Sequence, residues 1–254
     1  MAMNPMEQFE VKPFLIEHPL FNIGGHPIFF TNQAFFMVVV VLAASLFLTL
    51  TVSKNRLVPT RGQSMAELSY EFVGSMIQST MGSAGLKYFP FIFTLFMFVL
   101  FSNFFGLIPY TFTITSQIAV TFALSCLVIG VMIFVGLKKH GLRFFTLFVP
   151  QAPWYLLILL VPIEVISFLT RPISLSVRLF ANMLAGHTLL AVFASFVVLL
   201  GAAGGVMSVV SVAPFLLIVA IFALEMLVAA LQAYVFAILT CIYLNEAIHL
   251  HDTH

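Results

Sequence analysis

Residues 154–200 read WYLLILLVPIEVISFLTRPISLSVRLFANMLAGHTLLAVFASFVVLL. The run is apolar for about twice the ~20 residues that a helix needs to cross a bilayer. Yet it contains Glu164, Arg171, Arg178, Asn182 and His187. Charged groups in an apolar stretch are costly, so they mark function by default. A blander reading puts Arg171 and Arg178 in a juxtamembrane loop, with Pro172 at a helix break. Helix geometry weighs against it. At about 100° per residue, Glu164, Arg171, Arg178 and Asn182 share one narrow stripe. Glu164 lies ~21 Å before Arg178 along the axis, and His187 ~13.5 Å beyond it on the opposite side. A titratable group thus stands on either side of a permanent cation, each about half a bilayer away.

The rest of the chain has the same character. Its 254 residues are 62% hydrophobic and 7% charged, with 30 Phe and a mean hydropathy of +1.15. Soluble domains run near one-quarter charged. An ordinary soluble enzyme and a disordered protein are therefore excluded. The net charge of +1 leaves no footprint for a nucleic acid. Cys126 and Cys241 form no disulfide or zinc pattern, and the seven His show no metal spacing. His249, His251 and His254 make a short tail. No GxxxxGK[ST] or Rossmann glycine pattern is present, and no cofactor is implied.

Reading outward, residues 1–33 form an N-terminal segment without a basic signal-peptide start. Residues 34–53 form a retained first membrane helix. Lys54, Arg56 and Arg61 stop transfer. In residues 63–81, Met65, Leu68, Phe72 and Met76 recur at helical spacing, with Glu67, Glu71 and Gln78 on other faces. This is an amphipathic segment expected to lie on the interface. Residues 88–109 and 116–137 span, the first with Asn103 as its one strongly polar residue. Lys87, Lys138, Lys139 and Arg143 then fall on the same side as the stop-transfer cations, with only Lys12 opposite. The positive-inside rule makes the N-terminus external and these loops cytoplasmic.

Two long runs follow, 153–200 and 206–247, separated by GAAGG (201–205). Either each holds extra crossings or each is one long tilted helix; composition alone does not decide. Single helices would give five crossings and a cytoplasmic C-terminus. In the last run Glu225, Gln232 and Glu246 are spaced by seven and fourteen residues and share a face. An antiparallel pair joined near GAAGG brings Glu225 towards His187 and Gln232 towards Arg178. A His–Glu pair in a membrane suits proton handling, because imidazole titrates near neutrality and a carboxylate responds to its surroundings. For Glu225 the competing role is a packing salt bridge; Glu246 reads as interfacial.

SLSVRLFANMLAGH (174–187) with LQAYVFAILTCIYL (231–244) resembles subunit a of the F-type rotary ATP synthases. The resemblance extends to TRPISLS, to NFFGLIPY (103–110) and to the amphipathic segment, covering nearly the whole chain. Its style is similar to alphaproteobacterial members, with the His–carboxylate pair arranged as in mitochondrial versions. The resemblance implies an all-α polytopic membrane protein of five crossing helices plus the interfacial one, the last two tilted against a c-subunit ring. It implies that Arg178 faces the ring carboxylates between two aqueous half-channels. Asn182, His187, Glu225 and Gln232 match the external half-channel and the Arg-supporting helix, and Glu164 the cytoplasmic one. The implied partners are the c-ring, the peripheral-stalk b subunits, the F1 sector and the lipid bilayer. The implied location is a bacterial inner membrane, rather than a mitochondrial one. The rival classes are a secondary transporter whose Arg binds an anionic substrate, and a membrane scaffold.

Overall fold

The computed structural model describes residues 10–11, 13, 21–23, 26–52, 59–108, 111–141, 143–144 and 153–249. Lys12, Lys54, Arg56, Pro109, His251 and His254 lie outside the described residues. The chain is an all-α polytopic membrane protein. Among the described residues, five helical stretches are long and apolar enough to cross a membrane: Asn32–Thr51, Arg61–Gly106, Ile118–His140, Tyr155–Ala202 and Val206–Ile248. Before the first helix, the described residues also hold a small antiparallel hairpin, β1 (Phe21–Ile23) with β2 (His26–Ile28), Phe21 opposite Ile28. Ile23 and Ile28 are β-branched and favour extended backbone.

The helices are α1 (Asn32–Val52), α2 (Arg61–Met81), α3 (Phe89–Gly106), α4 (Ile118–His140), α5 (Trp154–Ala202), α6 (Val206–Val210) and α7 (Val212–Ile248). Thr60 caps α2 by accepting from the Gln63 amide, and Gly82, at φ 64°, ends it. A 3-10 helix (Gly82–Tyr88) leads into α3. Gly85 is required in that turn, because a Cβ there would lie 2.9 Å from Ile77 Cγ2. In α5, Pro162 and Pro172 sit inside the helix without ending it. Each removes a backbone donor, a loss that membrane helices absorb through neighbouring groups. At 49 residues α5 is about 74 Å long, against a hydrocarbon core of about 30 Å, so one crossing requires a strong tilt or a long extension beyond the core.

The chain divides into two compact units. The first comprises Met1–Phe47, Phe98–Gln117 and Leu179–Ala233. Its apolar centre is Leu107, Met183 and Ala229, flanked by Phe104. Phe47 packs on Phe101, and Phe101 stacks on Phe105.

The second comprises Leu48–Met97, Ile118–Arg178 and Tyr234–His254. There α2 turns Ala66, Val73, Met76, Ile77 and Met81 inward, while Met65, Leu68 and Phe72 are exposed. The apolar set expected on a single face is therefore split. With apolar groups on two faces, α2 suits lipid contact on one and protein contact on the other. Tyr70 packs on Phe89 and Phe93, and Phe72 on Phe96 and Tyr234. A second cluster joins Ile129, Met132, Phe144 and Ala247, with Phe168 and Tyr243 against it. Gly136 makes room for the Phe144 ring, which occupies the space that a Cβ would take. Gly136→Ala is expected to cost about 1–3 kcal/mol by overpacking. It should lower the thermal midpoint of the detergent-solubilised chain, and an unchanged midpoint would contradict this packing.

Candidate functional site

In the first unit, helix register puts complementary polar groups face to face. On α7, Glu225, Ala229 and Gln232 follow one another at intervals of four and three and share a face. On α5, Asn182 and Gly186 are four residues apart and share a face, and His187 follows Gly186 directly. Glu225 is buried at 5% exposure, and its Oε1 lies 3.8 Å from His187 Nε2. That is ion-pair range, too long for a hydrogen bond. The approach needs Gly186, because the Glu225 carboxylate fills the place where a Cβ would stand. Further along the same two helices, Asn182 Nδ2 donates to Gln232 Oε1 at 3.0 Å.

A third wall comes from the C-terminal end of α3 and the segment after it. Thr113 is buried, and its Oγ1 lies 3.2 Å from His187 Nε2 and 3.4 Å from the Gly106 carbonyl. The hydroxyl has one proton to place. Given to Gly106, it leaves an oxygen lone pair to accept from Nε2–H; given to Nε2, it requires the other imidazole tautomer. One ring nitrogen thus faces both a hydroxyl and a carboxylate. Thr113 is held by Ser116, whose hydroxyl donates to its carbonyl at 2.6 Å, and by close packing on Gly106. Asn103 Nδ2 donates to the Ala229 carbonyl at 3.2 Å, tying α3 to α7.

Several buried polar atoms here have no hydrogen-bond partner among the described residues: both Glu225 oxygens, Gln232 Nε2, Asn103 Oδ1, Ser102 Oγ and Thr115 Oγ1. Buried polar groups are normally satisfied, so a cluster of unsatisfied ones calls for an explanation.

The second unit holds the remaining charges. Arg178 is exposed on α5, and Ser174 lies one turn before it on the same exposed face. Opposite, Leu175, Ser176 and Leu179 are buried, and Ser176 Oγ lies 3.0 Å from Thr121 Oγ1. Arg178 has no ion-pair partner among the described residues, nor does the half-buried Glu164. Arg171 pairs with Glu246, with its guanidinium over the Tyr243 and Phe168 rings at 5.2 and 5.9 Å. Neither residue therefore reads as a plain interfacial charge.

Comparison with known proteins adds the family. The family described as ATP synthase A chain matches residues 34–245. The chain belongs to this family. It is 55% identical over 248 residues to the ATP synthase subunit a of Mesorhizobium japonicum, covering 97% of each chain. It is 56% identical over 250 residues to the subunits of Agrobacterium fabrum and Brucella ovis, covering 98% of this chain and 99% of each of theirs. As an ATP synthase subunit a it is a component of the membrane sector, in keeping with its five apolar helices.

Against that family background, the structure brings together His187 with Glu225, and Asn182 with Gln232. It gives Gln232 a partner one helical turn beyond the arginine towards which its spacing pointed. Sequence reasoning passed over Thr113, Ser102 and Thr115, and gave Asn103 no role. The available signal was the hydroxyl-rich TFTITS (111–116) between two spans.

Proposed function

We propose that this chain is the proton-translocating stator subunit of the ATP synthase membrane sector. It provides two offset half-channels and one fixed cation, Arg178, which together couple proton flow to rotation of a c-subunit ring. The observation that carries this reading is the buried Glu225 carboxylate facing His187, with Thr113 on the same ring nitrogen. Such a set passes a proton between neighbouring groups without large side-chain movement. The surrounding unsatisfied polar atoms fit a hydrated path, since water costs least where several polar groups converge.

The mechanism follows from the chemistry of the residues. A guanidinium stays protonated at any working pH. Arg178 attracts a ring carboxylate without taking its proton, and its exposed position on α5 leaves it open to a partner helix. A protonated ring carboxyl arriving from lipid gives up its proton before it meets Arg178. After passing, it takes another before re-entering lipid, where a bare carboxylate is costly. Asn182, His187, Glu225 and Gln232 line the external access, and Glu164 the cytoplasmic one. The membrane potential contributes ~2.3 kcal/mol per charge per 100 mV.

Its kinship with bacterial subunits favours a multi-pass chain in a bacterial inner membrane, and the distribution of Lys and Arg favours an external N-terminus and a cytoplasmic C-terminus. The chain itself is non-catalytic. ATP chemistry belongs to the F1 sector, linked through the c-ring and the peripheral-stalk b subunits. The purified complex in sealed vesicles tests this reading: ATP should drive proton uptake without sodium, and the isolated chain should move nothing. Solute transport by the chain alone, or a strict sodium requirement, would overturn it.

A further inference from the structure

We propose that the second unit binds the phosphodiester headgroup of an anionic phospholipid, between the start of α3 and the ends of α4 and α7. A cavity of about 460 Å³ opens there, and Lys87, Tyr88, Phe134, Lys138, Lys139 and Ile248 are among its lining residues. Among the described residues, no Asp or Glu lines it. Neither Lys87 nor Lys138 has an ion-pair partner among the described residues.

The walls are held by the protein itself. Lys139 Nζ donates to the Ile248 carbonyl at 3.0 Å, and His140 Nε2 lies 2.9 Å from the same oxygen. This pins the last turn of α7 to the last turn of α4. The site is therefore a formed recess between elements, with three lysines among its lining residues and no described carboxylate to offset them.

Its depth argues for a lipid. Lys87 stands just before Phe89, where α3 begins, and Lys138 and Lys139 stand in the last turn of α4. Both are places where an apolar span ends, which is headgroup level. One turn below Lys138, Phe134 is 65% exposed, and Leu86 beside Lys87 is also exposed. A free phosphate would satisfy the lysines alone. A phospholipid places its phosphate on Lys87 and Lys138 and lays its acyl chains along Phe134, while Tyr88 supplies an aromatic ring of the kind enriched at this level. Basic recesses between membrane helices suit anionic headgroups, each lysine near such a surface being worth about a fivefold gain in binding.

The test uses the intact complex in nanodiscs of phosphatidylcholine. Each preparation carries a trace of photoreactive phosphatidylglycerol or of photoreactive phosphatidylcholine, and cross-links are mapped by mass spectrometry. Cross-linking of the glycerol lipid to the peptides around Lys87 and Lys138 should exceed that of the choline lipid by on the order of tenfold. The double variant Lys87→Gln/Lys138→Gln should bring the ratio near unity, while Lys87→Arg/Lys138→Arg should keep it. Equal labelling by the two lipids in the native complex would overturn the proposal, even if neither variant assembles. Loss of the preference in the arginine variant would also overturn it, as would displacement of the lipid by millimolar inorganic phosphate. Cross-linking of an acidic peptide from another subunit in place of lipid would assign the recess to protein instead. None of these outcomes depends on the proton path.

Discussion

Arg178→Lys should abolish ATP-driven proton pumping and proton-driven ATP synthesis to within background, in complexes that assemble normally. Lysine keeps a positive charge, so a role limited to charge would survive the change. Three properties do not survive it. The planar fork that can hold a carboxylate with two parallel hydrogen bonds is lost. The ammonium is a compact, strongly hydrated charge on a flexible stem, so its position is less fixed. Above all, a lysine in an apolar setting can give up its proton, and a guanidinium cannot. A fixed site that can itself exchange protons no longer keeps the two access paths apart. Because Arg178 is exposed and makes no ion pair among the described residues, the substitution leaves the packing of Leu175 and Leu179 untouched. Assembly should therefore be normal while coupling fails. Pumping at more than about one-tenth of the native rate in Arg178→Lys would contradict the assigned role.

Glu225→Gln is expected to reduce proton translocation by roughly a hundredfold, the scale on which a positioned proton-transfer group acts. Glutamine has nearly the same shape and removes only the ionisable oxygen. A carboxylate present only to fill space would tolerate it, since Glu225 makes no hydrogen bond among the described residues that the amide would break. A proton carrier would not. Gly186→Val should give a similar loss by a different route, because its side chain would occupy the space of the Glu225 carboxylate and push it from His187. Parallel rate measurements on the two variants, with complex assembly checked in membranes, separate chemistry from packing. Native rates in Glu225→Gln would remove Glu225 from the path.

The parts of this architecture that were legible in the sequence share one cause: they follow from periodicity and length. Five apolar stretches are countable because each must cover a fixed hydrocarbon thickness. The facing of His187 and Glu225 could be anticipated because both lie on long helices joined by a short connection, where distance along one helix maps onto distance along the other. Features carried by loops or by tertiary choice were not legible. Thr113 sits in an irregular segment with no period, and nothing local says that its hydroxyl reaches a histidine seventy-four positions later. The Arg171–Glu246 pair joins two helices at a level where each residue, taken alone, reads as a charge seeking water. In α2, spacing located the apolar residues but not which of two apolar faces turns inward, since Met76 is buried while Met65 and Leu68 are not. The hairpin was missed because strands of three residues are too short to display alternation.

Coupling by this route requires two water-accessible dead ends on opposite sides of one cation, and sided labelling measures them. In a cysteine-free background, single cysteines are placed at positions 187 and 164 of the assembled complex. They are then exposed to a membrane-impermeant thiol reagent from one face at a time. Modification is expected at 187 from the external face only and at 164 from the cytoplasmic face only. Labelling of both positions from the same face, or of either from both faces, would contradict it.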